Sequence, residues 1–472
     1  MSGWGDLPAE EPGTWGAEPK VSSLPKSDWK QTNQVENLSK QVEDLSTDDV
    51  AEEKFEKKSN PLEENTTSEV EVTYAEGSSA HLYTAAISFD SLGLSPDLLK
   101  GVYSMGFEKP SKIQEKALPL LLASPAKNMI GQSQAGTGKT AAFALTILSR
   151  INFDLKTTQA ICLAPVRELA VQILDNIREL GKYTKATNQL AVKESIDRTI
   201  KKIDAQIIIG TPGCVSDLIK RRVLNTTEVK IFVLDEADSM LDQGLGDQSI
   251  RVKNSLPRDA QVVLFSATFT DTLFQFAQKV APNANLIKLK REELTVEGVK
   301  QFYMDCANLE DKLKTLVDIY GLLTIGQSII FTRTRNMADR ISQIMTERGH
   351  SVIALHGGLE GSQRDQVMED FRKGKSKVLV ATNVLSRGID ILQVTLVVNF
   401  DMPQDVDHRP DPETYLHRIG RTGRFGRTGV SINFVHDENS LMEMKAIEKH
   451  FQRKITRIPS GDVEEIEKIL KK

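Results

Sequence analysis

Ser133-Gln134-Ala135-Gly136-Thr137-Gly138-Lys139-Thr140 is the stretch on which the reading of this chain turns. It follows the short apolar run Asn128-Met129-Ile130 and precedes Ala141-Ala142-Phe143-Ala144-Leu145, a good helix former. The order is therefore strand, glycine-rich loop, helix start. Backbone N–H groups at such a helix N-terminus point toward an anion, which makes the loop a phosphate cradle. In that geometry Lys139 reaches the β/γ-phosphates and the Thr140 hydroxyl holds Mg²⁺. Ser133 stands where the motif commonly begins with Gly. The competing reading is a glycine-rich turn before an ordinary helix.

Outward from this loop, short β-branched runs alternate with helical patterns, the signature of parallel α/β units. Strands are expected near 128–130, 160–163, 206–209, 230–234 and 261–265, and in a second series near 328–331, 351–355, 377–380, 395–399 and 430–434. Between the series, 288–298 is charged and weakly periodic. The expected layout is an acidic disordered extension (1–85), a first parallel-sheet α/β domain (86–290), a linker (291–300) and a second such domain (301–472), with a hinge between the two.

The extension holds 18 acidic and 7 basic residues, a net of -11, so the total of -5 leaves +6 for the remainder. A mildly basic body has room for a nucleic-acid-binding face that the tail masks in the total, although plain soluble domains carry such an excess too. Few aliphatic residues stand in 1–85, too few to offset the entropy of ordering it. All three tryptophans, Trp4, Trp15 and Trp29, lie there nonetheless. Two readings stand for them, short docking motifs or chance composition. Val35, Leu38, Val42 and Leu45 repeat at heptad spacing and suit either a short helix that folds onto the body as a brake or a transient helix with no role. No run of about 18 apolar residues offers a membrane helix, and Met1-Ser-Gly-Trp-Gly-Asp6 lacks the pattern of a secretory signal. The three cysteines, Cys162, Cys214 and Cys306, lie far apart, which argues for a reducing compartment and against a disulfide framework or zinc site.

Polar motifs follow nearly every strand: the phosphate loop, Pro165-Val-Arg-Glu168, Gly210-Thr-Pro-Gly213, Asp235-Glu-Ala-Asp238 and Ser266-Ala-Thr268 in the first domain. The second has Thr332-Arg-Thr-Arg335, His356-Gly-Gly358, Thr382-Asn383 with Arg387-Gly-Ile-Asp390, and Asp401. Open α/β sheets bind ligands at the carboxyl ends of their strands, so each domain presents one functional edge. Asp235 follows the apolar run Ile231-Phe-Val-Leu234. Downstream of a phosphate loop, an Asp in that place holds Mg²⁺, commonly through water, and the adjacent Glu236 polarises the attacking water as general base. Asp238 is expected to hydrogen-bond Ser266 or Thr268. In His417-Arg418-Ile419-Gly420-Arg421-Thr422-Gly423-Arg424, the i,i+3 spacing lets Arg421 and Arg424 point together at one phosphoryl group, whose developing charge a guanidinium fork matches. The alternative is an ordinary basic face. If they act as fingers they come from the second domain, and hydrolysis needs domain closure.

These motifs, with Gly106-Phe107-Glu-Lys-Pro110-Ser111-Lys-Ile113-Gln114 and Pro165-Val-Arg-Glu-Leu169, closely resemble those of the DEAD-box RNA helicases of superfamily 2, in family order over 88–435. The resemblance implies two RecA-like domains, ATP and Mg²⁺ as cofactors, and an RNA-stimulated ATPase. It implies a nucleotide site of Phe107 stacked on adenine, Gln114 on the adenine edge, Ser133, Gln134, Ala135, Gly136, Thr137, Gly138, Lys139 and Thr140 on the phosphates, and Gly388 and Asp390 beside the ribose. Lys139, Asp235, Glu236, His417, Arg421 and Arg424 form the implied catalytic set, and Asp238, Ser266 and Thr268 couple hydrolysis to closure. RNA is implied at Pro165, Arg167, Glu168, Thr211, Gly213, Thr334, Arg335, Arg364, Thr382 and Asn383, largely through its backbone and with little sequence preference. Several positions depart from the pattern: Val166 replaces a Thr, Gly358 and Ser386 replace the common Asp and Ala, and no Gly-Gly pair stands between Arg167 and Thr211, where many members have one.

Leu99-Lys-Gly-Val-Tyr-Ser-Met-Gly-Phe107, Leu241-Asp-Gln-Gly-Leu-Gly-Asp-Gln-Ser-Ile-Arg251, Asp318-Ile-Tyr-Gly-Leu-Leu-Thr-Ile-Gly326, Asp411-Pro-Glu-Thr-Tyr415 and Val463-Glu-Glu-Ile-Glu-Lys-Ile469 are similar to the branch that works in mRNA export at the nuclear pore. That branch implies a place in nucleus and cytoplasm, at the cytoplasmic face of the nuclear pore complex; a monomer is expected. Its implied partners are a nucleoporin on the first domain, with Arg251 and Lys253 a candidate part of that face, and an export activator with inositol hexakisphosphate on the second. The alternatives are an ATP-gated RNA clamp whose turnover matters little, or a DEAD-box helicase acting in translation or ribosome assembly.

Overall fold

The computed structural model describes residues 70–75, 85–132, 137–197, 199–289, 298–322, 326–383, 394–405, 407–423 and 429–459. Among them, the first lobe is built on strands β1 (Val70–Thr73), β2 (Met129–Gln132), β3 (Ala160–Leu163), β4 (Asn188–Ala191), β5 (Ile207–Gly210), β6 (Ile231–Leu234), β7 (Gln261–Ser266) and β8 (Asn285–Leu289). They run side by side in the order β1-β8-β2-β7-β6-β3-β5-β4. All neighbours are parallel except β1, which runs antiparallel to β8. The second lobe has β9 (Val299–Asp305), β10 (Gln327–Phe331), β11 (Val352–Leu355), β12 (Val378–Ala381), β13 (Val394–Asn399), β14 (Gly429–Val435) and β15 (Thr456–Ile458). Their order is β11-β12-β10-β13-β14-β9-β15, parallel throughout.

A parallel sheet is covered by helices on both faces, so its inner strands are continuous apolar runs. In β5, Ile207 and Ile209 enter the core on one face with Phe143 and Phe265, while Ile208 enters the other with Phe232 and Leu264. Lobe two repeats the pattern, with Ile330 and Val398 on one face and Ile329, Phe331 and Val397 on the other. The two parallel sheets expected from the sequence are present, and each strand of the two expected series has its counterpart.

Five strands escaped the sequence reading: β1, β4, β8, β9 and β15. Three of them, β1, β4 and β15, are sheet edges, where half-solvated positions carry polar residues and dilute the apolar signal. Two boundaries move as a result. The expected extension includes Val70–Thr73, which pairs with β8 and packs Val72 on the core. The expected linker includes Val299 and Lys300, which open β9 and pair with β14. The three tryptophans, the heptad-spaced segment and Val463–Ile469 lie outside the described residues. Among the described residues no helix is long and apolar enough to cross a membrane, and Cys162, Cys214 and Cys306 are free thiols.

Candidate active site

The helix Lys139–Arg150 begins after Gly138, whose φ of 95° lies in the left-handed region open to glycine. A Cβ there would also stand 2.5 Å from Gln114 Nε2. Gln114 begins its helix in a reciprocal capping arrangement with Ser111: its Oε1 accepts the Ser111 N–H at 2.9 Å. Its Nε2 donates to the Gly138 carbonyl at 2.9 Å, and the Ser111 hydroxyl donates to the Thr137 carbonyl at 2.7 Å. Gln114 is therefore a strut under the loop, a role sequence reasoning did not supply. One Nε2 proton and one Oε1 lone pair remain for an adenine edge. Phe107 follows the left-handed Gly106 (φ 79°) and is half-buried against the first-lobe core. Thr140 is half-buried.

Lys139, Asp235 and Glu236 are all buried at this site, and Lys139 Nζ lies 3.4 Å from Asp235 Oδ1. Burial alone would lower the Lys139 pKa, but Asp235, Glu236 and Asp238 together hold it above its ordinary value. Burial raises Asp235, against the pull of Lys139. Burial is also the main cause that pushes Glu236 up to about 7, opposed by Lys139 and, from the second lobe, by Arg421. Behind the effect of burial, three carboxylates face one ammonium, so the pocket carries excess negative charge. Asp235 Oδ2, Glu236 Oε2 and Lys139 Nζ are buried with no hydrogen bond among the described residues. Buried oxygens without donors beside uncompensated negative charge fit a divalent cation reached through water and a nucleophilic water. Glu236 itself holds a left-handed backbone (φ 56°), rare for a non-glycine residue and typical of strained functional positions.

Asp238 is the hub between lobes. Its Oδ2 accepts from Ala267 N and Thr268 N, both at 3.2 Å, and from the Thr268 hydroxyl at 3.3 Å. It thus binds Thr268 and the backbone after Ser266, while the buried Ser266 hydroxyl has no hydrogen bond among the described residues. The same oxygen lies 3.5 Å from His417 Nε2 of the second lobe. His417 lies on the helix Pro412–Ile419, and Arg421 follows it fully buried, with its Nε donating to the His417 carbonyl at 2.9 Å. Arg418, to which the sequence reading gave no role, is buried too. Its Nη1 donates to Asn399 Oδ1 at 3.0 Å and to the Asp401 carbonyl at 2.7 Å, and its Nη2 to Asn383 Oδ1. Burial pushes its pKa down to about 10, so the guanidinium stays charged near neutrality. Arg418 ties the arginine-bearing helix to Asn383. Its place one residue after His417 was the available signal.

Of the expected RNA contacts, Arg167, Glu168 and Arg364 turn their side chains to the seam. Arg167 grips Asp365 with two bonds (Nε–Oδ1 3.1 Å, Nη2–Oδ2 2.6 Å), and Arg364 Nη2 lies 2.6 Å from Glu168 Oε1. Thr334 uses its hydroxyl to cap the helix Arg335–Glu347. Thr334, Arg335 and Gly213 are exposed, Thr211 is half-buried, and Pro165 and Thr382 are buried. Ser133, Gln134, Ala135, Gly136, Gly388, Asp390 and Arg424 lie outside the described residues.

Residues 111–276 match the family model described as DEAD/DEAH box helicase, and 311–426 match that described as helicase conserved C-terminal domain. The ATP-dependent RNA helicase dbp5 of Schizosaccharomyces pombe is 58% identical over 445 residues, covering 93% of this chain and 88% of the relative. This chain belongs to the DEAD/DEAH box helicase family. Among solved structures, S. cerevisiae Dbp5 bound to RNA and ADP BeF3 is 56% identical, covers 82% of this chain and 99% of that one, and superposes with a TM-score of 0.79. A variant of the same yeast protein bound to nup159, gle1, ip6 and ADP is 54% identical, covers 80% and 99%, and gives 0.59. At near-equal identity and coverage, this chain superposes better on the RNA-bound relative.

Proposed function

We propose that this protein is an ATP-dependent RNA helicase of the mRNA-export branch, an RNA-stimulated ATPase that remodels mRNA–protein particles as poly(A) mRNA leaves the nucleus. One observation carries the reading: the buried general-base candidate Glu236, pushed up to about 7 mainly by burial, and the buried Arg421 come from opposite lobes, which meet where Asp238 Oδ2 lies 3.5 Å from His417 Nε2. Neither lobe holds both.

In this reading Phe107 and Gln114 take the adenine, residues 133–140 the phosphates, and Gly388 and Asp390 the ribose side. Glu236 accepts a proton from the attacking water, while Arg421 and Arg424 face the γ-phosphoryl oxygens. Mg²⁺, held by Thr140 and through water by Asp235, would neutralise phosphate charge. Asp238, Thr268 and His417 report closure to that site, and Ser266 completes the coupling set. RNA lies over Pro165, Thr211, Gly213, Thr334, Arg335, Thr382 and Asn383, with Arg167, Glu168 and Arg364 closing the seam beneath it. The partners named with the yeast relative are the kinds expected here: a nucleoporin on the first lobe, where the exposed Arg251 is a candidate contact beside Lys253, and an activator with inositol hexakisphosphate on the second. In this reading the protein acts at the cytoplasmic face of the nuclear pore, with its two lobes as separate docking bodies for those partners.

The test is ATPase activity with and without single-stranded RNA, alongside duplex unwinding and RNA retention in a nonhydrolysable ATP analogue. Stimulation by RNA together with unwinding is expected. Long retention without unwinding would favour a clamp, and no stimulation at all would refute the reading.

A further inference from the structure

Glu194 lies in the turn after β4 with a φ of 70°, a left-handed backbone that few non-glycine residues adopt. It stands in the interval between Arg167 and Thr211, where no Gly-Gly pair occurs. Its carboxylate crosses to the second lobe: Oε2 accepts the Gly361 N–H at 3.1 Å. Gly361 is the first residue of the helix Gly361–Arg372. The N–H groups of a helix's first turn have no partner within the helix, and that end carries partial positive charge, so an anion suits it.

Gly361 has no positive φ that would call for glycine. The demand comes from the other lobe. A Cβ at 361 would stand 2.7 Å from Arg167 Nη1, 2.9 Å from Arg167 Cζ and 2.9 Å from Glu194 Oε2. All three atoms belong to the first lobe. Arg167 has little freedom to retreat, because its Nη1 donates to the Lys193 carbonyl at 2.7 Å while its other nitrogens hold Asp365.

We propose that Glu194 and Gly361 form a positioning latch specific to the closed clamp, on the seam away from the nucleotide. Glu194 is kept in a rare backbone conformation because its carboxylate caps a helix of the opposite lobe, and residue 361 lacks a side chain because closure brings Arg167 and Glu194 into that space. The inference rests on the RNA-stimulated clamp reading above. In an open clamp the latch is undone, and alanine at the start of a helix is no burden to the second lobe.

The variants Gly361→Ala, Glu194→Ala and Glu194→Gln test this in the full chain, with oligouridylate as the RNA. Gly361→Ala should raise the RNA concentration for half-maximal ATPase about tenfold, the scale of one lost charged hydrogen bond. Its kcat at saturating RNA should stay within about twofold, because RNA refills the closed state. Affinity for ADP and the Tm of the nucleotide-free protein should not change. Glu194→Ala should raise the half-maximal RNA concentration about three- to tenfold, and Glu194→Gln, which keeps an acceptor oxygen, by less than about threefold. Half-maximal concentrations within twofold of wild type in both alanine variants would overturn the latch. So would a Gly361→Ala effect matched by an equal fall in Tm, which would mark ordinary structural damage. Absence of RNA stimulation in the wild-type chain would fail the clamp reading itself and this inference with it.

Discussion

The two lobes share one architecture and divide the chemistry by charge. At the carboxyl ends of β2 and β6, the first lobe buries Asp235 and Glu236 against the lone ammonium of Lys139, with Asp238 beside them. The second lobe buries guanidinium groups instead, Arg418 among neutral oxygens and Arg421 on the His417 carbonyl. Burial acts on both in the same sense, against ionisation: it raises Glu236 to about 7 and lowers Arg418 to about 10. Each lobe alone therefore holds ionic groups in poor solvation. Closure sets the two charge excesses face to face, and the phosphates of a nucleotide would lie between them. Similar folds thus make unlike half-sites, and the unlikeness is what makes bringing them together productive.

The largest loss is expected when the second lobe's half is emptied. Arg421→Ala should lower kcat by roughly 10³-fold or more with ATP binding kept, as for other arginine fingers. An unchanged kcat would leave the first lobe self-sufficient. Next, Glu236→Gln should bind ATP and RNA yet lose turnover by about 10³-fold, within the range for a general base. Near wild-type ATPase in that variant would move the base elsewhere. A smaller effect is expected at the joint: His417→Ala should weaken RNA stimulation about tenfold while ATP affinity holds, since one charge-assisted contact is worth about that much. Equal losses with and without RNA would show that His417 does not serve coupling.

Proton linkage acts on the first lobe's half. Folded Glu236 titrates at about 7 against an ordinary 4.5. Between those values the native state binds a proton that the unfolded chain has released, so the cost of its buried charge grows as pH rises through this window and is complete above it. Glu236→Gln should therefore stabilise the nucleotide-free protein at about pH 8, by up to about 3 kcal/mol, and hardly at all near pH 5. Denaturant melts at the two pH values measure it, and an equal gain at both would show that burial of Glu236 is not the cause.

What could be read in the sequence was what repeats locally. Ile207-Ile-Ile209 and Val378-Leu-Val380 are apolar on both faces and announce covered parallel strands. Asp235 and Glu236 announce themselves because a strand and a phosphate loop give them context. The rest depends on partners far along the chain. Gln114 supports Gly138 across 24 residues, Arg418 reaches Asn383 across 35, and Arg167 meets Asp365 across 198. No local pattern records that Arg167 and Glu168 would turn to the opposite lobe.

The smallest predicted effect concerns β1. Deleting residues 1–69 should leave the first lobe's Tm unchanged, whereas deleting 1–85 should lower it by roughly 2–4 °C, as for about 1 kcal/mol lost from a lobe of this size. Equal melting temperatures would show that β1 adds nothing.

That strand has a further consequence, for what the chain does in company. β8 would otherwise end the sheet with a row of bare backbone N–H and C=O groups, a template on which a strand of another molecule can be laid down. Val70–Thr73 occupies that template in the antiparallel sense. A few residues from the acidic end of the chain thus act as a selvage, keeping a sheet rich in Ile, Val and Leu from knitting itself to its neighbours.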